Sequence, residues 1–260
     1  MYDVDTRRFA LTLIGQGCSL SEVSRRTGAS RSAIRSWRVR LLPLPRITPE
    51  NGCPRCAPEP QALATPAAYA YLLALYLGDG CISPHLKTNG AYLRIACSDA
   101  WPGLITECQN AMTAVLPGRS TYLAQKQGCA MVTGYSKHWI CLFPQHGPGK
   151  KHDRAIALEA WQQEIVDAFP WEFLRGLVHS DGCRVTNWTT KVVRGERKRY
   201  EYPRYFFTNT SDDIRQLYTD TLDRLGITWT HCTRGGKPFN ISVARRADVA
   251  LMDEHIGPKH

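Results

Sequence analysis

Leu72-Leu73-Ala74-Leu75-Tyr76-Leu77-Gly78-Asp79-Gly80 and Leu174-Arg175-Gly176-Leu177-Val178-His179-Ser180-Asp181-Gly182 are two versions of one phrase. Each is an apolar run of helical character with small residues four apart, Ala74 and Gly78 in one, Gly176 and Ser180 in the other. Each ends in Asp-Gly, where a left-handed glycine is expected to close the helix. The aspartate then falls at the negative end of the helix macrodipole, where a cation is preferred. Two acids so placed, in a chain of net charge +10, call for positive charge nearby, and a divalent metal is the expected source.

The order of elements after each phrase also repeats. In the first copy, strands are predicted at Cys81–Lys87 and Ala91–Cys97, a helix capped by Ser98-Asp99 runs to Leu116, and strands follow at Thr121–Lys126 and Cys129–Tyr135. In the second copy, a basic hairpin leads to Tyr205–Thr208, Ser211-Asp212 caps a helix to Leu225, and strands follow at Thr228–Cys232 and Phe239–Val243. Gly147-Pro148-Gly149-Lys150-Lys151-His152 and Gly257-Pro258-Lys259-His260 end the two copies alike, and a helix over Arg154–Ala168 is expected to join them. A duplicated helix–strands–helix–strands order predicts an α+β fold with pseudo-twofold symmetry.

Outside the duplication, residues 3 to about 42 predict three short helices. Phe9, Ala10, Leu13 and Ile14 form the apolar face of the first, Ser19 and Glu22 a capping box, and Thr27-Gly28-Ala29 a tight turn. The run from Ser21 to Trp37 resembles the helix-turn-helix of transposase and resolvase DNA-binding domains. That resemblance implies a third helix presenting Arg31, Ser32 and Arg35 to a major groove. A proline-rich linker follows, holding Cys53-Pro54-Arg55-Cys56, half of a zinc site that would need a remote Cys or His to complete it. The resulting division is 1–44 helix-turn-helix, 45–66 linker, 67–153 first unit, 154–170 connecting helix and 171–260 second unit.

Composition narrows the function. The longest apolar run, Ala67–Leu77, is too short to span a bilayer, and Asp3, Asp5, Arg7 and Arg8 interrupt any leader, so a cytoplasmic protein is expected. Ten cysteines without regular spacing argue against a secreted disulfide framework. The basic balance points to nucleic acid.

Together the two phrases and the duplication resemble the LAGLIDADG motif and a single-chain LAGLIDADG homing endonuclease, over residues 67 to 260. Leu73, Leu77, Arg175 and His179 depart from the nominal motif at positions that vary. The resemblance implies motif helices packed at a pseudo-dyad through Ala74, Gly78, Gly176 and Ser180, and two four-stranded antiparallel sheets forming a saddle on DNA. It places Mg²⁺ on Asp79 and Asp181, with Gly78 and Ser180 as adjoining ligands, for metal-assisted cutting of both strands with short 3′ overhangs. Lys150 or Lys151, and Lys259, are the expected basic partners.

Base and phosphate contacts are expected from His85, Lys87 and Arg94 in the first unit. In the second they are expected from Arg184, Thr186, Arg199 and Arg204, with Lys191, Arg194 and Arg197 along the hairpin. The resemblance thus implies a monomeric, site-specific, double-strand DNA endonuclease. Two alternatives are a non-cleaving DNA-binding regulator on the same fold and, more remotely, an RNA-splicing cofactor. Nothing resembling intein splice junctions is present, so a free-standing protein is expected.

Overall fold

The computed structural model describes residues 2–39, 41, 63–85, 88, 90–234, 236–257 and 259–260. Linker residues 45–62, with Cys53 and Cys56, and the strand-end residue Lys87 lie outside the described residues. The chain divides into two compact units, Met1–Asn51 and Gly52–His260.

The first unit is three helices, α1 (Val4–Gly15), α2 (Leu20–Thr27) and α3 (Arg31–Val39). Their caps follow the sequence. Asp3 accepts from the Thr6 amide, Ser19 from Glu22 and Ser30 from Ala33. Gly28 (φ 68°) ends α2 in the left-handed region. Ala10, Leu13, Val23, Ala29, Ile34 and Trp37 form a small core. Phe9 is the exception to the expected apolar face: it is exposed, with the Arg26 guanidinium over its ring.

The second unit is built on two helices, α4 (Pro66–Asp79) and, later in the chain, α8 (Pro170–Asp181). Both start with proline at the first turn, where its missing N–H costs nothing. Every residue of α4 from Tyr69 to Leu77 is buried, because both halves of the unit pack around it. The helices meet at their small residues. A Cβ on Gly176 would lie 2.5 Å from the Tyr71 carbonyl oxygen and 2.6 Å from the Ala74 Cβ, and one on Gly78 would lie 2.2 Å from Ser180 Oγ. The seam thus uses all four small residues picked out in sequence.

After α4 come β1 (Gly80–Pro84), β2 (Ala91–Ser98), α5 (Pro102–Val115), β3 (Thr121–Lys126), β4 (Cys129–Ser136) and a short α6 (Trp139–Leu142). A single 3₁₀ turn (Lys151–Asp153) and α7 (Ala160–Ala168) lead to α8. Next are β5 (Gly182–Val193), β6 (Glu196–Thr208), α9 (Asp212–Arg224), β7 (Thr230–Arg234), β8 (Lys237–Val243) and α10 (Arg246–His255). The antiparallel sheets run β1-β2-β4-β3 and β5-β6-β8-β7, one order used twice. Their registers also correspond: Gly80 pairs with Ile95 and then Val132, and Gly182 with Phe207 and then Ile241. The α+β duplication is therefore present strand for strand.

Four details differ from the sequence expectation. The glycines closing the motif helices are extended (Gly80 φ −90°, ψ 153°; Gly182 φ −103°, ψ 169°), and each starts a strand. They are needed for room instead: a Cβ there would sit 2.5 Å from Tyr76 Cα or 2.7 Å from Val178 Cα. The connecting helix starts at Ala160, not Arg154, because the Arg154 guanidinium is tied to the carbonyls of Gln145, Gly147, Pro148 and Gly149 in an extended segment. Ser98-Asp99 forms a turn, and α5 starts only at Pro102. The second half also carries α10, which fills the core with Val249 and Met252.

The motif's unusual residues make polar ties across the seam. His179 is buried with Nδ1 3.0 Å from the Tyr71 hydroxyl, and burial lowers its pKa to about 4, so the ring is neutral. Arg175 lies over the Tyr71 ring and bridges Glu172 and Glu107. Gly176→Ala is expected to destabilise the protein by about 3 kcal/mol, since backbone must shift to admit the methyl. Chemical denaturation measures this, and an unchanged midpoint would overturn the seam as drawn.

Candidate active site between the paired helices

The seam brings the ends of α4 and α8 together, so that Asp181 Oδ2 lies only 3.0 Å from where a Cβ on Gly78 would be. Both carboxylates are perturbed upward. Burial raises Asp79, and the Lys151 and Lys259 ammonium groups oppose that shift. Burial also raises Asp181, to about 6, and the neighbouring Asp79 charge adds to it. An amide hydrogen bond from Asn209 Nδ2 to Asp181 Oδ2 (2.6 Å) and the two lysines pull the other way. Two carboxylates at adjoining helix ends, with protonation favoured by burial at both and by the Asp79 charge at Asp181, form a site short of positive charge.

Of the two lysine candidates in the first half, Lys151 is the one at the centre, and Lys150 is exposed. Lys151 Nζ donates to the carbonyl oxygens of Tyr76 (2.5 Å), Gly78 (2.8 Å) and Gly80 (2.9 Å). Those bonds use all three donors of the ammonium and place its charge at the negative end of α4. Among the described residues Lys259 repeats the pattern with a single bond of 3.4 Å to the Ser180 carbonyl, the counterpart of the Gly78 carbonyl. The lysines also cross between halves. The largest favourable charge interaction of Lys151 is with Asp181, and that of Lys259 is with Asp79. Burial lowers the Lys151 pKa to about 8, so it stays predominantly cationic at neutral pH.

The Gly78 and Ser180 carbonyls, expected beside the metal, are thus the lysines' acceptors. Among the described residues no group of three or more His, Cys, Asp or Glu side chains is arranged to hold a metal. The pair Asp79 and Asp181 remains. Two carboxylates beside open solvent suit Mg²⁺, which keeps several waters and takes further oxygens from a phosphate. A cleft of about 570 Å³ opens beside Asp181, lined also by Gly78, Lys151, Thr208, Asn209 and Thr210.

The remaining predicted residues are distributed over several surfaces. On α3, Arg31, Ser32 and Arg35 are exposed, opposite buried Ile34 and Trp37. On the open face of the first sheet, Arg94 lies over the Tyr92 ring and bonds Ser83, and His85 packs on Tyr92 and Tyr135. Strand pairing splits the second set, because directly paired residues share a face. Arg184 pairs with buried Tyr205 and is bound to Asp253 of α10, so it lies on the helix-covered face. Thr186, Arg197 and Arg199 share that face further out, with Arg199 over the Trp188 ring. The open face carries Arg204, beside the Tyr202 and Phe206 rings, and Lys191 directly opposite Lys198. Arg194, at φ 54°, and Gly195 form the hairpin turn.

Sequence reasoning missed Asn209. No motif marks an asparagine at a strand end, and only the pairing of β5 with β6 brings it to Asp181. The raised pKa of Asp181 carries a testable sign. Its penalty on the fold is absent below the unfolded value of 3.8 and complete above about pH 6. In metal-free buffer, Asp181→Asn is expected to raise the unfolding temperature by a few degrees at pH 8 and to leave it unchanged at pH 4. Equal effects at both pH values would overturn the assignment.

No family model matches the sequence, and no curated protein matches it. Solved structures do. A mesophilic variant of the homing endonuclease I-DmoI aligns at 15% identity over 75% of this chain and 98% of that one, with TM-score 0.48. The N-terminal LAGLIDADG domain of DUF199/WhiA aligns at 14% identity over 75% and 84%, with TM-score 0.44. The LAGLIDADG homing endonuclease I-GzeII, in complex with its DNA target, aligns at 10% identity over 74% and 84%, with TM-score 0.44. These are similarities of architecture, and the structural neighbours of this chain are LAGLIDADG proteins.

Proposed function

We propose that the chain is a monomeric, site-specific, metal-dependent endonuclease that cuts both strands of duplex DNA. The observation that carries this reading is the placement of Asp79 and Asp181 at adjoining helix ends related by pseudo-twofold symmetry. A duplex offers two antiparallel phosphodiesters related in the same way. A carboxylate pair held at such cost in a chain of charge +10 serves no purpose in simply binding phosphate.

Asp79 and Asp181 would hold Mg²⁺. When bound, Mg²⁺ supplies polarisation of a phosphate oxygen and activation of a water. Lys151 and Lys259 fix the helix ends and offset the carboxylate charge. With its three donors committed to carbonyls, Lys151 positions the site rather than donating to the phosphate. The cleft beside Asp181 admits solvent to that carboxylate. The open sheet faces, with Arg94, Arg204, Lys191 and Lys198, supply groove and phosphate contacts, and the exposed arginines of α3 supply a second contact region.

That separate helical unit also favours a second reading, a DNA-binding regulator that does not cut. One experiment separates them. A duplex is selected from a randomised pool by binding in Ca²⁺, then incubated with protein in Mg²⁺. The expected result is a double-strand break that falls at least about a hundredfold in Asp79→Asn/Asp181→Asn while binding persists. Tight binding without a Mg²⁺-dependent break would establish the regulator instead. On the same duplex, Arg31→Ala and Arg35→Ala are each expected to weaken binding and lower the salt slope by about one. An unchanged slope, read by titration at several salt concentrations, would remove the helical unit from the DNA interface.

A further inference from the structure

The two halves match in topology, yet the environments of the two aspartates do not. At the second, the side chain of Asn209 is fixed from both ends. Its Oδ1 accepts from the Ser211 amide (2.8 Å), which can only donate, so Nδ2 must face Asp181 Oδ2 (2.6 Å). Ser211 in turn caps α9 through the Ile214 amide, and Arg215 binds the Asn209 carbonyl. The asparagine is therefore held by a helix terminus, and its amide nitrogen is aimed at the carboxylate.

Register identifies its counterpart. Phe207 pairs with Gly182 as Ile95 pairs with Gly80, and two residues further on stand Asn209 and Cys97. Cys97 is buried, and its thiol is engaged with that of Cys108. Among the described residues no side chain donates a hydrogen bond to Asp79. The lysine bonds differ too, three bonds of 2.5–2.9 Å for Lys151 against one of 3.4 Å for Lys259. The cleft has Asp181, Asn209 and Lys151 in its wall, whereas Asp79 lies outside it and is exposed.

From these differences, and resting on the endonuclease reading, we infer that the two strands are cut at unequal rates, the strand facing Asp181 first, with Asn209 as its positioning residue. Each cut consumes one water. Its oxygen bonds to phosphorus as the bond from phosphorus to the 3′ oxygen breaks. The water gives a proton to solvent, the 3′ oxygen takes one up, and a 5′ phosphate remains. A carboxylate held by a fixed amide donor keeps one orientation through this step, whereas one without such a donor must be ordered each time, which slows its strand.

The test uses the duplex selected above, with a different fluorophore on each strand, under single-turnover conditions in Mg²⁺. Wild-type protein is expected to accumulate a nicked duplex, one strand being cut at least about tenfold faster than the other. Asn209→Asp keeps the acceptor for Ser211 and removes the donor to Asp181. It is expected to slow the faster strand about tenfold or more, to leave the slower strand within about twofold, and to leave duplex affinity unchanged. Cys97→Asn is expected to speed the slower strand. Equal strand rates in the wild type would overturn the inference without any variant, and leave the endonuclease reading standing. So would an Asn209→Asp protein that slows both strands alike, the mark of a purely structural role. No cutting of a tightly bound duplex would sink the endonuclease reading, and this inference with it.

Discussion

Close approach of α4 and α8 is the constraint on which the rest depends. Helices that touch at backbone distance need a small residue at every crossing point, and Ala74 against Gly176 and Gly78 against Ser180 meet that need. The contact fuses the halves into one core, with Tyr69–Leu77 buried between them. It also fixes the chemistry, because helices packed to their last turn must end side by side. Asp79 and Asp181 are neighbours through packing; burial raises the pKa of both, and the Asp79 charge adds to the rise at Asp181.

Lysine offsets what the packing imposes. A helix C-terminus is negatively polarised, and two of them capped by carboxylates form an unfavourable concentration of like charge. Lys151 answers it with three bonds to carbonyls at and just past the end of α4 and a favourable interaction with the aspartate of the other half. The site is thus braced across the pseudo-dyad, and the charge balance of each half depends on the other. Part of the cation that the helix ends call for is supplied by the protein itself.

Much of this was legible in the sequence because it is repetitive. Two phrases with small residues four apart define a seam, and the recurrence of strands and helices after each defines two sheets, down to β3, matched residue for residue. The parts that could not be read depend on contacts distant in the chain. The extended Gly80 and Gly182 look like left-handed caps until Tyr76 and Val178 are seen to need the space. Arg154 belongs to a helix by composition, but four carbonyls hold it extended. Asn209 and the choice between Lys150 and Lys151 were invisible because one side chain's aim is set by strand register and the other's by three backbone oxygens. Arg184 illustrates the reverse case: basic residues in one strand alternate faces, and a single ion pair with Asp253 assigns it to the covered one.

The β5–β6 hairpin has a consequence for how such a chain changes over time. Its strands span 12 and 13 residues, against 5 and 8 for their counterparts β1 and β2, and residues from Lys191 to Tyr200 are almost wholly solvent-facing. Substitutions there leave the seam, the lysine braces and the shared core untouched. Side chains on the hairpin can therefore drift independently of foldability while the helix pair stays fixed. The hairpin surface and the helix seam sit on one fold but answer to separate constraints.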